Sequence, residues 1–336
     1  MEYLELKNVD FKENLGKAVL IKGMCSSVRF SEQKDGKLYA TVELVQGSSK
    51  IEAKVFGIAR AEDFKMKTGK VYGCRVNVNE YPPNSGKPSC AIYNYDELED
   101  DAGNYVPVCD GYVESWNHIV KTLNAFDGDY ARIARYLIGK YADKFKVNSA
   151  ATSMHHAGIG GLVVHTCEVM ELCNRIATYA MENMGLNNDI DMELLTCAAA
   201  LHDIGKIVEI ETNELGVSKY SAESSSQSHI TIGVKMIYEA VYMLNMMNES
   251  PERWADIKRK VDYLTHCVYA HHGKLEWGSP VRAALPEADI LFRADEISAS
   301  LHRFSKFLKD TEEGESTTFA SHGEKLNYLK KVSNKQ

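Results

Sequence analysis

Residues of metal-ligating type recur through the second half of this sequence. In chain order they are His165, His202-Asp203, His229, His271-His272 and Asp295. Imidazole and carboxylate groups that converge in a fold can hold one or two divalent cations and leave coordination positions open for water and a phosphate ester. A His-Asp pair alone is a weak signal, because a chain with 11 histidines should contain on the order of one by chance. The ordered series around it favours a metal-dependent phosphohydrolase.

The elements that carry these residues are predicted helices. The spacing places His165 in the first turns of a helix, and the His202-Asp203 pair at the end of an apolar helix. Asp295 falls within a helix predicted over 286–301. Rigid elements hold ligand geometry better than loops do, so the helical setting supports the metal-site hypothesis.

We predict that one metal ion is bound by four residues, namely His165, His202, Asp203 and Asp295. Asp203 is the natural bridging ligand, because a carboxylate has two oxygen atoms and can bind two ions. The ordinary alternative for any single residue is a hydrogen-bonded structural role, although aspartate is seldom buried without a partner. The mixture of nitrogen and oxygen donors favours metal binding by the whole set.

A second metal ion would use the remaining histidines of the series. We predict that His229 and His271 are its ligands. For His272 three roles stay open, which are ligation, orientation of a ligand, and contact with a phosphate. His302 is most simply interpreted as a surface or hydrogen-bonded histidine.

Composition sets the class of protein. The 336 residues are enough for two domains, and the contents of 44% hydrophobic and 26% charged residues are typical of a soluble globular protein. No basic and apolar leader is present, and no apolar run reaches the ~18 residues of a membrane helix, so we expect a cytoplasmic protein with no membrane partner. The eight cysteines form no CxxC pair and are predicted to be reduced.

Charge is distributed unevenly along the chain. The net charge of −8 argues against indiscriminate nucleic-acid binding. Residues 1–97, however, carry 15 Lys/Arg against 13 Asp/Glu, a balance of +2, so the remainder carries −10. A mildly basic N-terminal part permits a local phosphate-binding face.

The N-terminal part is predicted to be β structure. Short segments rich in Val, Ile, Tyr and Phe, separated by turn residues, lie near 17–30, 38–46, 50–57, 70–80 and 88–95. The segment 34–37 contains Asp-Gly, a hairpin signal, and apolar residues alternate with charged ones over 50–56. Five strands of this length suit a small closed β-barrel such as an OB-fold.

The period then changes to a helical one. Helices are predicted over 112–126, 128–143, 161–184, 191–203, 229–248, 251–272 and 285–308. The fold class is therefore α+β with two domains, an N-terminal barrel over 1–97 and an all-α domain over 112–310. Residues 98–111 are the predicted linker and 311–336 a polar C-terminal tail, while 211–228 reads as a polar loop.

Three segments resemble the HD-domain superfamily, and more closely its YhaM-type 3′–5′ exoribonucleases. They are His155–Thr166, Ala198–Lys206 and His271–Pro280, the last followed by Ala294-Asp295. The resemblance covers most of 112–305, and these enzymes also carry an N-terminal OB-fold. The sequence departs from the family pattern before His229 (Ser226-Gln227-Ser228) and before Asp295 (Phe292-Arg293-Ala294); neither departure removes a ligand.

The resemblance implies removal of nucleotides from the 3′ end of single-stranded RNA, sometimes DNA. It implies a divalent cofactor, manganese first, with iron, cobalt, zinc, nickel and magnesium as alternatives. It also implies that the protein is a homo-oligomer. The superfamily ligands correspond to His165, His202, Asp203 and Asp295, with His229 and His271 at the extra positions of dinuclear members.

Several further residues have the chemistry to contact substrate or phosphate. In the helical part they are His155, His156, Lys206 and Trp277, and on the barrel Arg29, Lys37, Tyr39, Lys54 and Phe56. An ammonium group can contact phosphate as a point charge, and aromatic faces stack on single-stranded bases without sequence preference. The alternative role for Lys206 is an ion pair with a nearby carboxylate, and the favoured alternative for Trp277 is packing within its own domain. For the residues on the barrel, the alternative is an ordinary solvated strand face, which has a similar composition.

The sequence thus predicts a phosphodiesterase in which a metal-activated water attacks phosphorus, with Asp203, Lys206 and His272 as participants. One alternative is an HD hydrolase of nucleotides or cyclic dinucleotides with a regulatory barrel. The other is a non-catalytic single-strand binding protein with a structural metal. A full ligand set with Lys206 intact argues against this last alternative, because a purely structural site would not require open coordination positions.

Overall fold

The computed structural model of the protein describes residues 2–33, 35–47, 49–151, 158–309, 311–321 and 324–332. The chain forms two compact units. The first comprises Met1–Cys109 with Thr212–Val217, and the second comprises Asp110–Glu211 with Ser218–Gln336. Among the described residues, none of the helices combines the length and the apolar composition needed to cross a bilayer.

The first unit is a strand-rich sheet. Its strands are β1 (Leu4–Glu5), β2 (Ala18–Glu32), β3 (Leu38–Gln46), β4 (Ser49–Ile58), β5 (Val71–Glu80) and β6 (Pro88–Leu98). The five longer strands confirm the predicted ones closely. β2 is antiparallel to both β3 and β5, β3 is antiparallel to β4, β4 is parallel to β6, and β6 is antiparallel to β5. The short β1 lies parallel to β2.

Local pattern explains these strands well. In β4 the alternating residues Ile51, Ala53 and Val55 are buried, while Lys54 and Phe56 are exposed, as predicted for a strand with one buried face.

The first unit extends further along the chain than the pattern predicted. β6 ends at Leu98, and a 3₁₀ turn follows at Ala102–Tyr105. Tyr105 is buried against Met24 and Val71, so residues 98–109, predicted as linker, fold with the first unit. The N-terminal segment of the first unit therefore ends at Cys109 and not at residue 97.

The second unit is helical. Its helices are α1 (Tyr112–Leu123), α2 (Asp129–Lys140), α3 (Ala142–Val147), α4 (Gly161–Asn183), α5 (Met192–Leu201), α6 (Lys206–Glu209), α7 (His229–Met243), α8 (Pro251–Ala270) and α9 (Pro286–Lys309). Every helix predicted from the sequence has a counterpart here. Helix α5 lies at the centre, and α2, α4, α8 and α9 pack against it.

Helix α5 owes its central place to its composition. All residues from Leu194 to Leu201 are buried, so this helix is apolar on every side. Its N-terminus is capped by the Asp191 side chain, which accepts hydrogen bonds from the backbone N–H groups of Glu193 and Leu194. The chain leaves α5 at His202, and the ligand pair is therefore delivered into the core.

Two short sheets correct the prediction of an all-α domain followed by a polar tail. The predicted polar loop contains β7 (Ile210–Thr212) and β8 (Ser218–Tyr220), which pair with each other. The predicted polar tail contains β9 (Ser316–Ser321) and β10 (Glu324–Leu329), an antiparallel pair. One buried side chain anchors this second pair, since Tyr328 packs edge-on against Phe304 of α9 at 4.1 Å between ring centroids. A single anchoring aromatic gives no repeating apolar pattern for sequence reading to detect.

Candidate metal centre

Four predicted ligands meet where α4, α5 and α9 pack together. His165 Nε2 lies 3.3 Å from Asp203 Oδ2 and 3.2 Å from Asp295 Oδ1. His202 Nε2 lies 3.3 Å from both Asp203 Oδ2 and His165 Nε2. The four side chains thus turn donor atoms towards one point, and we call these four residues the first group.

A second group lies on the other side of Asp203. The other carboxylate oxygen of Asp203, Oδ1, is 3.5 Å from His229 Nε2 and 3.8 Å from His271 Nε2. His272 joins them, because ligand atoms of His229, His271 and His272 all lie within 4.8 Å of one another. The two oxygens of Asp203 therefore face two different sets of imidazoles.

Backbone carbonyls fix the ring orientation of three of these histidines. The Nδ1–H groups of His202, His271 and His272 donate to the carbonyl oxygens of Ala199 at 2.8 Å, Val268 at 2.7 Å and Trp277 at 2.9 Å, respectively. A neutral imidazole with its proton on Nδ1 presents a lone pair at Nε2. All three rings are thereby prepared to bind a cation through Nε2.

Three polar atoms on the side of the second group show whether these residues fit a cation. Asp203 Oδ1, His229 Nε2 and His271 Nε2 are buried, and each lacks a hydrogen-bond partner among the residues that the structure describes. A buried polar atom left unpaired costs about 1–3 kcal/mol. Convergence of three such atoms, two imidazole nitrogens and one carboxylate oxygen, matches the donor set of a transition-metal ion. The residues present fit a divalent cation.

The charges around Asp203 keep it ionised. Burial raises the pKa of its carboxyl, but Lys206 and His202 outweigh burial and hold the pKa well below its usual range. The Lys206 ammonium is 2.7 Å from Oδ2; burial lowers its pKa, and Asp203 more than compensates, so its pKa is raised. Lys206 therefore forms the ion pair that the sequence left as one of its two roles.

The histidines differ in their protonation. Burial lowers the pKa of His165, but Asp203 and Asp295 raise it to about 9 in the metal-free protein. Burial holds the pKa of His271 well below its usual value and also lowers that of His272. At neutral pH His271 and His272 are therefore neutral imidazoles, whereas a cation at the first group must displace a proton from His165.

Sequence reasoning missed the residues that orient the ligands. Glu209 accepts hydrogen bonds at 2.9 Å from both the backbone N–H and the Nδ1–H of His229. His165 Nδ1 lies 3.3 Å from the Ser298 hydroxyl, which donates to Glu168 at 2.9 Å. Such partners fix the orientation of a ligating imidazole and raise its basicity.

A helical spacing signal could have found two of these residues. Glu168 follows His165 by three positions, and Ser298 follows Asp295 by three, so each lies on the same helix face as a ligand. His302 extends the chain of contacts, since its Nε2 donates to Glu168 at 2.9 Å. This agrees with the prediction of a hydrogen-bonded histidine.

Gly205 allows the two halves of the centre to approach each other. It lies between α5 and α6, and its Cα faces the backbone where α7 begins. A Cβ at this position would overlap the carbonyl oxygen of His229 and would lie 2.8 Å from both the carbonyl carbon of that residue and the amide nitrogen of Gly233. The absence of a side chain therefore sets the distance between Asp203 and His229.

The remaining predicted substrate residues of this unit have different outcomes. His155 and His156 lie outside the residues that the structure describes. Trp277 is half-buried, its ring lies 3.8 Å below the Lys274 ammonium, and its centroid is 6.2 Å from that of Phe292. Trp277 thus packs within its own unit, as the alternative to base stacking predicted.

On the first unit, the predicted basic and aromatic residues share one face of β2, β3 and β4. The rings of Tyr39 and Phe56 are 5.7 Å apart, and the Lys54 ammonium lies 5.4 Å above the Tyr39 ring. Phe56 is 49% exposed, which leaves its ring free to contact a base. Arg29 pairs with Glu52 beside this face.

Lys37 differs from the rest of that set. It lies at the β2–β3 hairpin, where its ammonium pairs with Asp35 at 3.3 Å. The hairpin itself is the predicted one, with Gly36 at a φ of +80°. Both partners of the ion pair are largely exposed, so Lys37 stays available to a phosphate.

The helical unit, which carries both ligand groups, matches a known protein family. Residues 162–300 match the HD domain family model, and the matched range contains all six predicted metal ligands. The resemblance predicted from the sequence is confirmed.

Similarity to particular proteins extends over both units. The chain is 27% identical over 312 residues to the 3′-5′ exoribonuclease YhaM of Geobacillus sp. (strain WCH70), covering 90% of this chain and 89% of that protein. It is 26% identical over 314 residues to the 3′-5′ exoribonuclease YhaM of Bacillus subtilis (strain 168), covering 91% of each. A protein of the same name from Listeria monocytogenes serotype 4b (strain CLIP80459) is 27% identical over 326 residues, with 93% and 94% covered.

Proposed function

We propose that this protein is a metal-dependent 3′–5′ exoribonuclease that hydrolyses the phosphodiester bonds of single-stranded RNA, with single-stranded DNA as a further substrate. The observation that carries the proposal is the position of Asp203 between two groups of imidazoles. The similarity to proteins named 3′-5′ exoribonuclease YhaM, which spans about nine-tenths of the chain, supports the choice of substrate.

The first metal ion would be held by His165, His202, Asp203 and Asp295. The second would be held by Asp203, His229 and His271, with His272 beside them. When bound, divalent cations lower the pKa of water and neutralise charge on phosphoryl oxygens. Five imidazoles favour a transition metal over calcium or magnesium, and among these we propose manganese, with iron, cobalt, nickel and zinc as the other candidates.

The protein's own groups position the reaction. Asp203 is kept ionised and immobile by Lys206 at 2.7 Å, so neither of its oxygens needs to reorganise. The Lys206 side chain is 18% exposed, which leaves donors for a phosphoryl oxygen of the substrate. His272 is anchored through Nδ1, and its Nε2 can either join the second group or donate to the phosphate.

We further propose that the first unit is an OB-fold barrel that binds single strands. The pairings β2–β3, β3–β4, β4–β6, β6–β5 and β5–β2 form a cycle, which supports a closed five-stranded barrel. The face formed by Tyr39, Lys54 and Phe56 combines exposed rings with positive charge, as single-strand binding requires. Arg29 and Lys37 would add phosphate contacts.

The test is degradation of a 5′-labelled single-stranded RNA by the full-length protein in manganese. We expect a ladder that shortens from the 3′ end and disappears with EDTA or in Asp203→Ala. Asp189→Ala, which removes an exposed carboxylate from the same unit, is the matched control and should retain the ladder.

Two results would reject this function. Intact RNA with folded, metal-loaded protein, together with turnover of nucleotides or cyclic dinucleotides, would make the protein a small-molecule hydrolase. RNA binding without hydrolysis, with loss of the fold in Asp203→Ala, would instead make the metal structural.

The eight cysteines are all free thiols, and we propose a cytoplasmic protein. We also propose a homo-oligomer, and light scattering of the purified protein would distinguish it from a monomer.

A further inference from the structure

A cavity of about 380 Å³ opens on the surface of the helical unit. Its wall carries three cations and two carboxylates, together with an aromatic ring: Lys274, Arg282, Arg293, Asp289, Glu296 and Phe292. Small-molecule sites have volumes of about 300–1,000 Å³. The cavity is therefore large enough for one nucleotide unit, and its wall is strongly polar.

The chain places this cavity next to the metal centre. Gly273, in its wall, directly follows His272, and Glu296 directly follows Asp295. Consecutive Cα atoms are about 3.8 Å apart, so two sides of the cavity are covalent neighbours of residues in the metal centre. The walls of the cavity and of the metal centre are therefore continuous along the chain at His272-Gly273 and at Asp295-Glu296.

The charges of the wall are only partly satisfied by one another. Arg293 pairs with Asp289 at 3.4 Å, and the Lys274 ammonium lies over Trp277. Arg282 and Glu296, by contrast, have no hydrogen-bond or ion-pair partner within the described part of the chain. Two unpaired groups of opposite charge that line one cavity without pairing suit a ligand with both an anionic group and hydroxyl groups.

We propose that this cavity binds the 3′-terminal nucleotide of the substrate, with Arg282 on its phosphate and Glu296 on its ribose hydroxyls. This inference rests on the proposed exoribonuclease function and names the substrate end that the enzyme selects. A guanidinium forms paired hydrogen bonds with phosphate oxygens. A carboxylate accepts hydrogen bonds from neighbouring hydroxyls, and the 2′-hydroxyl is the group that distinguishes RNA from DNA.

The ligand chemistry predicts an order of substrate ends. An end with free 2′ and 3′ hydroxyls gives Glu296 two donors, and a 2′-deoxy end gives it one. A 3′-phosphorylated end gives it one donor and adds a negative charge next to a carboxylate, which is unfavourable. The protein should therefore prefer a free ribose diol over a 2′-deoxy end, and either of these over a 3′-phosphate.

The experiment has a binding arm and a turnover arm, both with the full-length, manganese-loaded protein. In the first, AMP and 2′-deoxy-AMP are titrated calorimetrically. In the second, kcat/KM is measured on one RNA sequence that ends in a diol, a 2′-deoxyribose or a 3′-phosphate. The variants are Glu296→Gln and Arg282→Ala, and Arg175→Ala, an exposed arginine of α4 outside the cavity wall, is the control.

We expect Glu296→Gln to weaken AMP binding on the order of 10-fold, because it loses charge-assisted hydrogen bonds, and to reduce the preference for AMP over 2′-deoxy-AMP. Arg282→Ala should weaken both ligands by a similar factor and raise KM for every RNA end. Arg175→Ala should match the wild type. Thermal unfolding and metal content check that each variant is folded and loaded.

The outcomes separate the two proposals. Equal diol and 2′-deoxy preference in the wild type, or an unchanged preference in folded Glu296→Gln, overturns the assignment of Glu296 even if RNA is degraded. Unchanged AMP affinity in folded Arg282→Ala overturns the cavity as the nucleotide site. AMP binding that depends on both residues, in a protein that leaves RNA intact, upholds the nucleotide site and rejects the exoribonuclease function.

Discussion

Replacement of Gly205 by alanine should damage the metal centre through backbone contact alone. The backbone at this position has a φ of −65° and a ψ of −17°, which alanine adopts freely, so no dihedral strain is involved. The added Cβ would instead lie 2.8 Å from two backbone atoms of α7, whereas ordinary contact begins at 3.4 Å. Backbone atoms cannot rotate away, and α7 must therefore shift by more than 0.6 Å, the difference between these distances, because the His229 carbonyl oxygen lies closer still.

That shift exceeds what a metal site tolerates. Ligand distances in a working site hold within about 0.2 Å, and the displaced helix begins with His229, whose Nε2 is 3.5 Å from Asp203 Oδ1. Overpacking of this kind costs about 1–3 kcal/mol of stability, and misplacing a reacting group by about 1 Å costs on the order of 100-fold in rate. We expect Gly205→Ala to lose the second metal ion and most of its activity.

The assay combines metal content, thermal unfolding and RNA turnover. Gly139→Ala in α2 is the matched control, because a Cβ there meets nothing within 4 Å, and a helical Gly→Ala change should raise stability by about 0.5–1 kcal/mol. A Gly205→Ala protein with two bound ions and an unchanged melting temperature would refute the packing of α7 against this turn.

Three other changes test the surroundings of the centre. Glu209→Gln should lower metal affinity about 10- to 100-fold, because it removes the carboxylate that orients His229; calorimetric titration checks this, and wild-type affinity would contradict it. The pKa of His165 is about 9 in the folded, metal-free protein against 6.5 ordinarily, so its contribution to stability is complete below about pH 6.5 and is lost as pH rises through about 9. Thermal unfolding of EDTA-treated protein should show this decline, and His165→Gln should remove it; an unchanged profile in that variant would exclude His165 as the source. Asp129→Asn should lower the free energy of unfolding by about 2–3 kcal/mol in a urea titration, since it breaks the ion pairs of a buried carboxylate with Arg253 (2.5 Å) and Lys260 (3.0 Å), whose side chains are 40% and 33% exposed. A change below about 0.5 kcal/mol, the usual range for a surface substitution, would show that the two pairs together add little.

The secondary structure was largely predictable because its signals are local. Alternation over 50–56 and the Asp-Gly turn act within a few residues, and both β4 and the β2–β3 hairpin follow them. The short pairs β7–β8 and β9–β10 were not predicted. Their stability comes from contacts such as Tyr328 on Phe304, which no window of the sequence contains.

The candidate centre was likewise only partly predictable from the sequence. The sequence by itself determined which residue types were available, a series of imidazoles and carboxylates, and that helices would carry them. Only the tertiary structure decided that the two oxygens of Asp203 face separate groups, and that Ser298 supports His165 from 133 positions away. The physical reason is that helical periodicity is set by neighbours along the chain, whereas the convergence of side chains depends on how α4, α5, α7, α8 and α9 pack. That packing is fixed by burial of apolar surface across the whole unit, and so the geometry of the centre is a property of the complete fold.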